Sequence, residues 1–141
     1  MRTRLRRLRA EGRTFVWRAE IGFVHGDGVD VHRCINVRVW GDGKNSRPLV
    51  ADLLSKSKSV GWTPAATDGA YPDASDIRTL INRGLELGWQ VEARGGSFLL
   101  TENSDLELAG FLITDRPRRP DAPDPTARVM QADESQANTD T

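Results

Sequence analysis

Two histidines and the only cysteine of the chain, His25, His32 and Cys34, lie within one stretch of the sequence. His32 and Cys34 are two positions apart, so on a strand they project from the same face. With Asp27 or Asp30 they could form a tetrahedral zinc site, or the thiol could act as a nucleophile beside a histidine base. Neither pattern is specific, and a lone cysteine is most often a core residue. We therefore predict no metal, no cofactor and no catalytic residue, and a protein that is not an enzyme.

A glycine-containing segment at 41–46 has some features of a phosphate-binding loop. In the Walker pattern four residues separate the two glycines, and Lys is followed directly by Ser or Thr. Here one residue separates Gly41 from Gly43, and Asn45 follows Lys44. Because no helical pattern follows, no helix N-terminus would receive a phosphate. The segment is interpreted as a hairpin loop.

The strongest electrostatic feature is a run of arginines at the amino terminus. The chain as a whole has no net charge, but residues 1–18 hold seven arginines and one glutamate. Arginine is suited to gripping phosphate or carboxylate because its planar guanidinium can donate two hydrogen bonds at once. Three interpretations stay open: an arm that binds nucleic-acid phosphates, a docking surface for an acidic protein, or an edge strand charged against edge-to-edge pairing.

Arg18 and Arg38 extend this basic character onto the predicted sheet. Arg38 alternates with His32, Asn36 and Trp40 along one strand, a pattern that could bind nucleic acid or form a solvated face with an Arg38–Glu20 pair. The predicted DNA- or RNA-binding residues are Arg2, Arg4, Arg6, Arg7, Arg9, Arg13, Arg18 and Arg38. The alternative is a protein-partner module of immunity or adaptor type, anchored by Trp40 or Trp62.

Strand periodicity dominates the first half of the chain. Within residues 13–24, one face of the pattern carries Phe15, Trp17, Ala19, Ile21 and Phe23, which indicates a half-buried strand. Segments 29–40 and 49–54 predict two further strands. Residues 3–9 precede a Glu-Gly turn and could form a hairpin partner strand, although the spacing of their leucines also suits a helix.

One helix is predicted at about residues 73–87. Asp73 is a suitable N-cap, and apolar residues then recur at helical spacing up to Gly88, which suits the C′ position. Segments 90–93 and 97–101 are interpreted as a hairpin, and 108–114 as a last apolar stretch. The sequence therefore predicts an α+β fold: an antiparallel β-meander sheet of about five to six strands packed on one main helix.

The amino-acid composition differs between the body of the chain and its C-terminal end. Residues 1–115 are predicted to form a single α+β domain, and 116–141, which are rich in Pro and Asp, a disordered tail. One cysteine excludes an internal disulfide. No apolar run is long enough to cross a membrane, and no apolar stretch follows the basic start as in a secretory signal, so we expect a cytoplasmic protein without a membrane partner.

Residues 76–89, Asp-Ile-Arg-Thr-Leu-Ile-Asn-Arg-Gly-Leu-Glu-Leu-Gly-Trp, are similar to a helix of a family of short uncharacterised α+β proteins from high-GC Gram-positive bacteria. The continuation Gly95-Gly96-Ser97-Phe98-Leu99-Leu100 and the opening strand at 12–18 resemble the same family. The resemblance implies a fold over about residues 1–115 and carries no functional residues. Some members are labelled integrase, but the recombinase His-x-x-Arg pattern is absent here, and the one tyrosine, Tyr71, directly precedes a proline.

Overall fold

The computed structural model describes residues 5–56 and 69–139, with side chains as far as residue 133. These residues form one sheet of six strands and two α-helices. The strands are β1 (Arg6–Ala10), β2 (Arg13–His25), β3 (Val31–Trp40), β4 (Leu49–Ser55), β5 (Phe98–Leu99) and β6 (Phe111–Ile113). The helices are α1 (Ala74–Glu86) and α2 (Pro125–Thr139). The predicted α+β fold, with a mostly antiparallel sheet and one main helix, is confirmed.

Strands β1 to β4 form an antiparallel meander, and β4 is flanked on its far side by two short strands. β5 runs parallel to the start of β4, where Leu49 faces Phe98, and β6 runs antiparallel to its end, where Ser55 faces Phe111. Every residue of β4 is buried, because neighbours lie on both of its edges and on both of its faces. The predicted hairpin at 90–101 is wrong, since residues 90–93 form no strand.

Helix α1 packs its apolar stripe on one side of the sheet, here called the helix face. Asp73 and Asp76 form a reciprocal capping box at its start, with both hydrogen bonds 2.9 Å long. The helix can approach closely because residue 84 is glycine: a Cβ there would lie 2.8 Å from Leu49 Cδ1. Gly88, with φ +101°, then reverses the chain so that Trp89 packs into the core.

The strand β2 is buried on the helix face only over its first half. Phe15, Trp17 and Ala19 belong to the core, whereas Ile21 and Phe23 are 46% and 54% exposed. Thirteen residues of strand extend about 43 Å, but a helix of the same number of residues extends only about 20 Å. One helix therefore cannot cover all of β2. Ile21 and Phe23 lie on the face that the alternation predicted, but α1 leaves them exposed.

Residues 116–133 differ from the prediction of a disordered tail at 116–141, and residues 140 and 141 lie outside the described part of the chain. Residues 114–133, called the C-terminal segment from here on, cross the sheet surface opposite α1 and enter helix α2. Ala122 and Val129 are buried, and Arg116 forms an ion pair of 2.6 Å with Asp27. Polar composition predicted disorder, but the arginines of this segment reach carboxylates on the body of the domain. Among the described residues, neither helix combines the length and apolar character needed to cross a lipid bilayer.

Candidate nucleic-acid interface

The sheet face opposite α1 brings together arginines from three strands. Arg18 of β2 lies directly opposite Arg38 of β3, and Arg7 of β1 lies opposite Val16, whose other neighbour is Trp40. Residues paired across antiparallel strands project from the same side of the sheet. Arg7, Arg18 and Arg38 therefore share one face, as the period-two pattern of β2 and β3 predicted for the latter two.

Five cationic side chains form what we call the basic patch: Arg7, Arg9, Arg18, Arg38 and Lys44. Arg9 donates a hydrogen bond of 3.3 Å to the Thr14 hydroxyl on this face. A groove of about 350 Å³ opens at one side of the patch. Its lining consists of Leu5, Arg7, Val16, Trp40, Gly43 and Lys44. The groove thus combines an apolar floor with two cations.

Trp40 supports the patch from below. Its side chain is only 7% exposed, and the Arg18 guanidinium lies over its ring at 5.6 Å from the centroid. This cation–π contact holds Arg18 in place while leaving its N–H donors available. The ring itself is not presented outward, so the geometry does not support Trp40 as a protein-partner anchor. Trp62, the other proposed anchor, lies outside the described residues.

The Arg18–Arg38 pair has no counter-charge within the described part of the chain. Two like charges directly opposite each other in a sheet are destabilising. Neither arginine forms an ion pair with any described residue, and the predicted Arg38–Glu20 pair is not formed, since Glu20 faces Asn36. By contrast, Arg13, Arg83, Arg94, Arg116, Arg118, Arg119 and Arg128 each lie within 4 Å of a carboxylate. Arg18 and Arg38 are therefore cations without an ion-pair partner in this part of the chain, although Glu20 lies on the same sheet face.

Two of the predicted arginines lie on the helix face instead. Arg6 packs its guanidinium over both the Trp17 and Tyr71 rings, at 5.7 Å from each centroid. Arg13 forms an ion pair of 2.9 Å with Glu92 and donates to the Gly41 carbonyl at 3.0 Å. These two arginines stabilise the domain and do not join the patch. Arg2 and Arg4 lie outside the described residues.

The other end of the same sheet face is covered by the C-terminal segment. Val24, Cys34 and Leu54 form a small apolar cluster closed by Val129 of α2. A polar cluster separates this cover from the basic patch: the buried carboxylate of Asp52 accepts hydrogen bonds from Asn36 Nδ2, at 2.9 Å, and from Arg118.

The histidines and the cysteine do not assemble into a site. His32 shares its sheet face with Val24, whereas His25 faces Val31 on the opposite side. His32 Nε2 lies 2.7 Å from Thr126 Oγ1, which ties the histidine to α2. Among residues 5–56 and 69–139, no group of three or more His, Cys, Asp or Glu side chains is arranged to hold a metal ion.

Cys34 is expected to react slowly with thiol reagents. Burial, reinforced by the nearby Asp52 carboxylate and opposed by Arg118, raises the pKa of its thiol from 9.0 to about 12. At neutral or mildly alkaline pH, this lowers the reactive thiolate fraction about 1000-fold relative to an ordinary cysteine. Labelling with a chromophoric disulfide in native buffer and in urea measures the ratio. A native rate within about tenfold of the unfolded rate would show an accessible thiol.

Comparison of the chain with protein-family models, with curated proteins and with solved structures finds no match. The resemblance to short α+β proteins of high-GC Gram-positive bacteria therefore stays a prediction, and the basic patch must be interpreted from its own geometry.

Two features of this region were not predicted from the sequence. Lys44 was considered only as part of a failed phosphate-loop pattern, although its loop follows β3 directly and so places it beside Trp40. Arg118 was assigned to the disordered tail. No local pattern links Arg118 to Asp52, because the two residues are 66 positions apart in the chain.

Proposed function

We propose that this chain is a non-enzymatic nucleic-acid-binding module and that the basic patch is its contact surface. The observation that carries the proposal is the cross-strand pair of Arg18 and Arg38, half-buried and without a carboxylate partner among the described residues. An anion bridging the two guanidinium groups would relieve their repulsion and receive charge-assisted hydrogen bonds. Arg7, Arg9 and Lys44 extend the surface beyond the size of a single phosphate.

A polyanion with regularly spaced charges fits this arrangement better than a single small anion. Arg7 and Arg9 are two residues apart on β1, which corresponds to about 7 Å, close to the spacing of successive phosphates along a single strand. Arg18 and Arg38 lie on the adjoining strands, so five cations cover an area that several phosphates can contact together. Leu5, which is 42% exposed, and Val16 add apolar surface to the groove against which a nucleobase can pack.

The proposal includes a cytoplasmic location, where nucleic acid is accessible. An acidic protein is the competing partner, because carboxylates can also bridge arginines. Nucleic acid is favoured since Trp40, the aromatic side chain nearest the patch, is covered by Arg18 and cannot serve as a hot-spot anchor for a protein.

Fluorescence anisotropy with a labelled single-stranded DNA of about 20 nucleotides, the matching duplex and the matching RNA tests the proposal. We expect binding at low salt that weakens steeply as NaCl increases. Four or five phosphate contacts predict a slope of log K against log salt of about −3 to −3.5 for the single strands, at about 0.7 per contact, and of about −3.6 to −4.5 for the duplex, at about 0.9 per contact. Unlabelled oligonucleotide should compete.

Polyglutamate of similar charge serves as the comparison ligand. Competition by polyglutamate as effective as that by the oligonucleotide would favour an acidic protein partner and overturn the nucleic-acid proposal. Absence of binding to all three nucleic acids at about 20 mM salt would also overturn it, because electrostatic binding is strongest there.

A further inference from the structure

The C-terminal segment holds a buried carboxylate that lies beside Arg38 on the sheet. Two carboxylates are diagonal neighbours of Arg38 on this face: Glu20 of β2, which is exposed, and Asp52 of β4, which is buried. Asp52 of β4 faces Asn36, and Arg38 faces Val50, so Asp52 is the diagonal neighbour of Arg38 on the adjoining strand. Diagonal neighbours have Cβ atoms about 7 Å apart, a separation that a long arginine side chain can span. Asp52 and Arg38 nevertheless form no ion pair.

Asp52 forms its ion pair with Arg118 instead. One nitrogen of its guanidinium, Nη1, donates to Asp52 Oδ2, while Nη2 donates to Asp115 Oδ1 at 2.7 Å. Asn36 Nδ2 donates a hydrogen bond of 2.9 Å to the other carboxylate oxygen, Asp52 Oδ1. Both carboxylate side chains are 7% exposed, whereas that of Arg118 is 30% exposed. Arg118 thus neutralises two buried carboxylates from outside the sheet.

Loss of Arg118 would leave Asp52 as a buried carboxylate without a cation, which is an unfavourable state. Arg38 is the neighbouring arginine on this face that has no carboxylate partner among the described residues. Arg38 can supply the missing cation to Asp52 by turning toward β4 and away from the patch. The cross-strand pair with Arg18 would then lose one of its two charges.

We infer that Arg118 is a positioning residue for the anion site: by holding Asp52, it keeps Arg38 available in the basic patch, so that docking of the C-terminal segment sets the strength of anion binding. This inference rests on the proposed function. Residues 114–133 are then a regulatory part of the site, because undocking of this segment from the sheet breaks the ion pair between Arg118 and Asp52.

Four full-length variants test it: Arg118→Gln, Asp52→Asn, the double variant, and Arg119→Gln as the matched control. Arg119 is the adjacent arginine, is 60% exposed, and approaches Asp115 only at 3.9 Å. We expect Arg118→Gln to weaken binding of single-stranded DNA about tenfold, the loss of one charged hydrogen-bonding group. The double variant should bind within about threefold of wild type, and Arg119→Gln within about twofold.

The Arg38 Nε–Hε signal in ¹⁵N NMR spectra gives a readout that needs no nucleic acid, and its assignment comes from its loss in Arg38→Gln. We expect this signal to shift and exchange more slowly with solvent in Arg118→Gln, and to return to its original position in the double variant. If wild type fails to bind DNA, the proposed function fails, and the signal still decides the inference. An unchanged Arg38 signal in Arg118→Gln, or a double variant as weak as Arg118→Gln, would overturn it.

Discussion

Replacing Arg18 and Arg38 together with glutamine is expected to weaken binding of single-stranded nucleic acid roughly 100-fold at low salt. The two side chains are opposed across β2 and β3 at the centre of the basic patch, and each is expected to contact a phosphate. Removal of two such contacts should also reduce the slope of log K against log salt by about 1.4. An anisotropy titration at several salt concentrations measures both quantities.

The same substitutions should leave folding stability nearly unchanged. Glutamine removes an unfavourable like-charge pair but also the cation–π contact of Arg18 with Trp40, and each effect is worth about 1 kcal/mol or less. Urea unfolding should therefore give a free energy within about 1 kcal/mol of wild type. This result would separate a binding role from a structural one.

Arg78→Gln is the matched control. Arg78 is exposed on α1, the helix that covers the other side of the sheet, and it forms no ion pair with a described residue. The Arg78→Gln substitution removes one positive charge from the protein and leaves the side chains of the basic patch unchanged. Equal losses of affinity in Arg78→Gln and in single Arg18→Gln or Arg38→Gln variants would mean that net charge, and not the patch, governs binding.

Local periodicity was sufficient to predict the face that carries Arg18 and Arg38. Alternation of side chains is a property of a single strand, so two long strands can be assigned faces before their register is known. The capped helix α1 was predicted for a similar reason, since its cap, apolar stripe and terminal glycine all lie within one segment. These features need no information about distant parts of the chain.

The same alternation places the arginines of the N-terminal run on two opposite faces of the sheet. Arg6 and Arg7 are adjacent on β1, and adjacent residues of a strand project from opposite faces. Counting the run as one charged surface was therefore inconsistent with interpreting it as a strand. The Arg6 guanidinium packs over the Trp17 ring at the edge of the core, while Arg7 lies in the basic patch.

Contacts between distant segments could not be predicted. Arg116 and Asp27 are 89 residues apart, and Arg118 and Asp52 are 66 residues apart, so no local pattern links them. Composition alone favoured disorder for the C-terminal segment, because few of its residues are large and apolar. β5, with two residues, is likewise too short to show a period.

Val129→Asp is expected to destabilise the domain by about 3 kcal/mol or more. Val129 is 3% exposed and closes the apolar cluster of Val24, Cys34 and Leu54 on the sheet. A carboxylate at this position either is buried without a partner or forces α2 away from the sheet. Urea unfolding measures the loss, and limited proteolysis should show new cleavage within the C-terminal segment.

Met130→Asp provides the control at the adjacent position. Met130 is 57% exposed, so the same new charge remains in water and should change the free energy of unfolding by no more than about 0.5 kcal/mol. Because Arg118 precedes α2 in the same segment, Val129→Asp should also weaken nucleic-acid binding, whereas Met130→Asp should not beyond the small effect of one added charge. Equal stability of the two variants would show that α2 is not docked, and would return the C-terminal residues to the disordered state that their composition suggests.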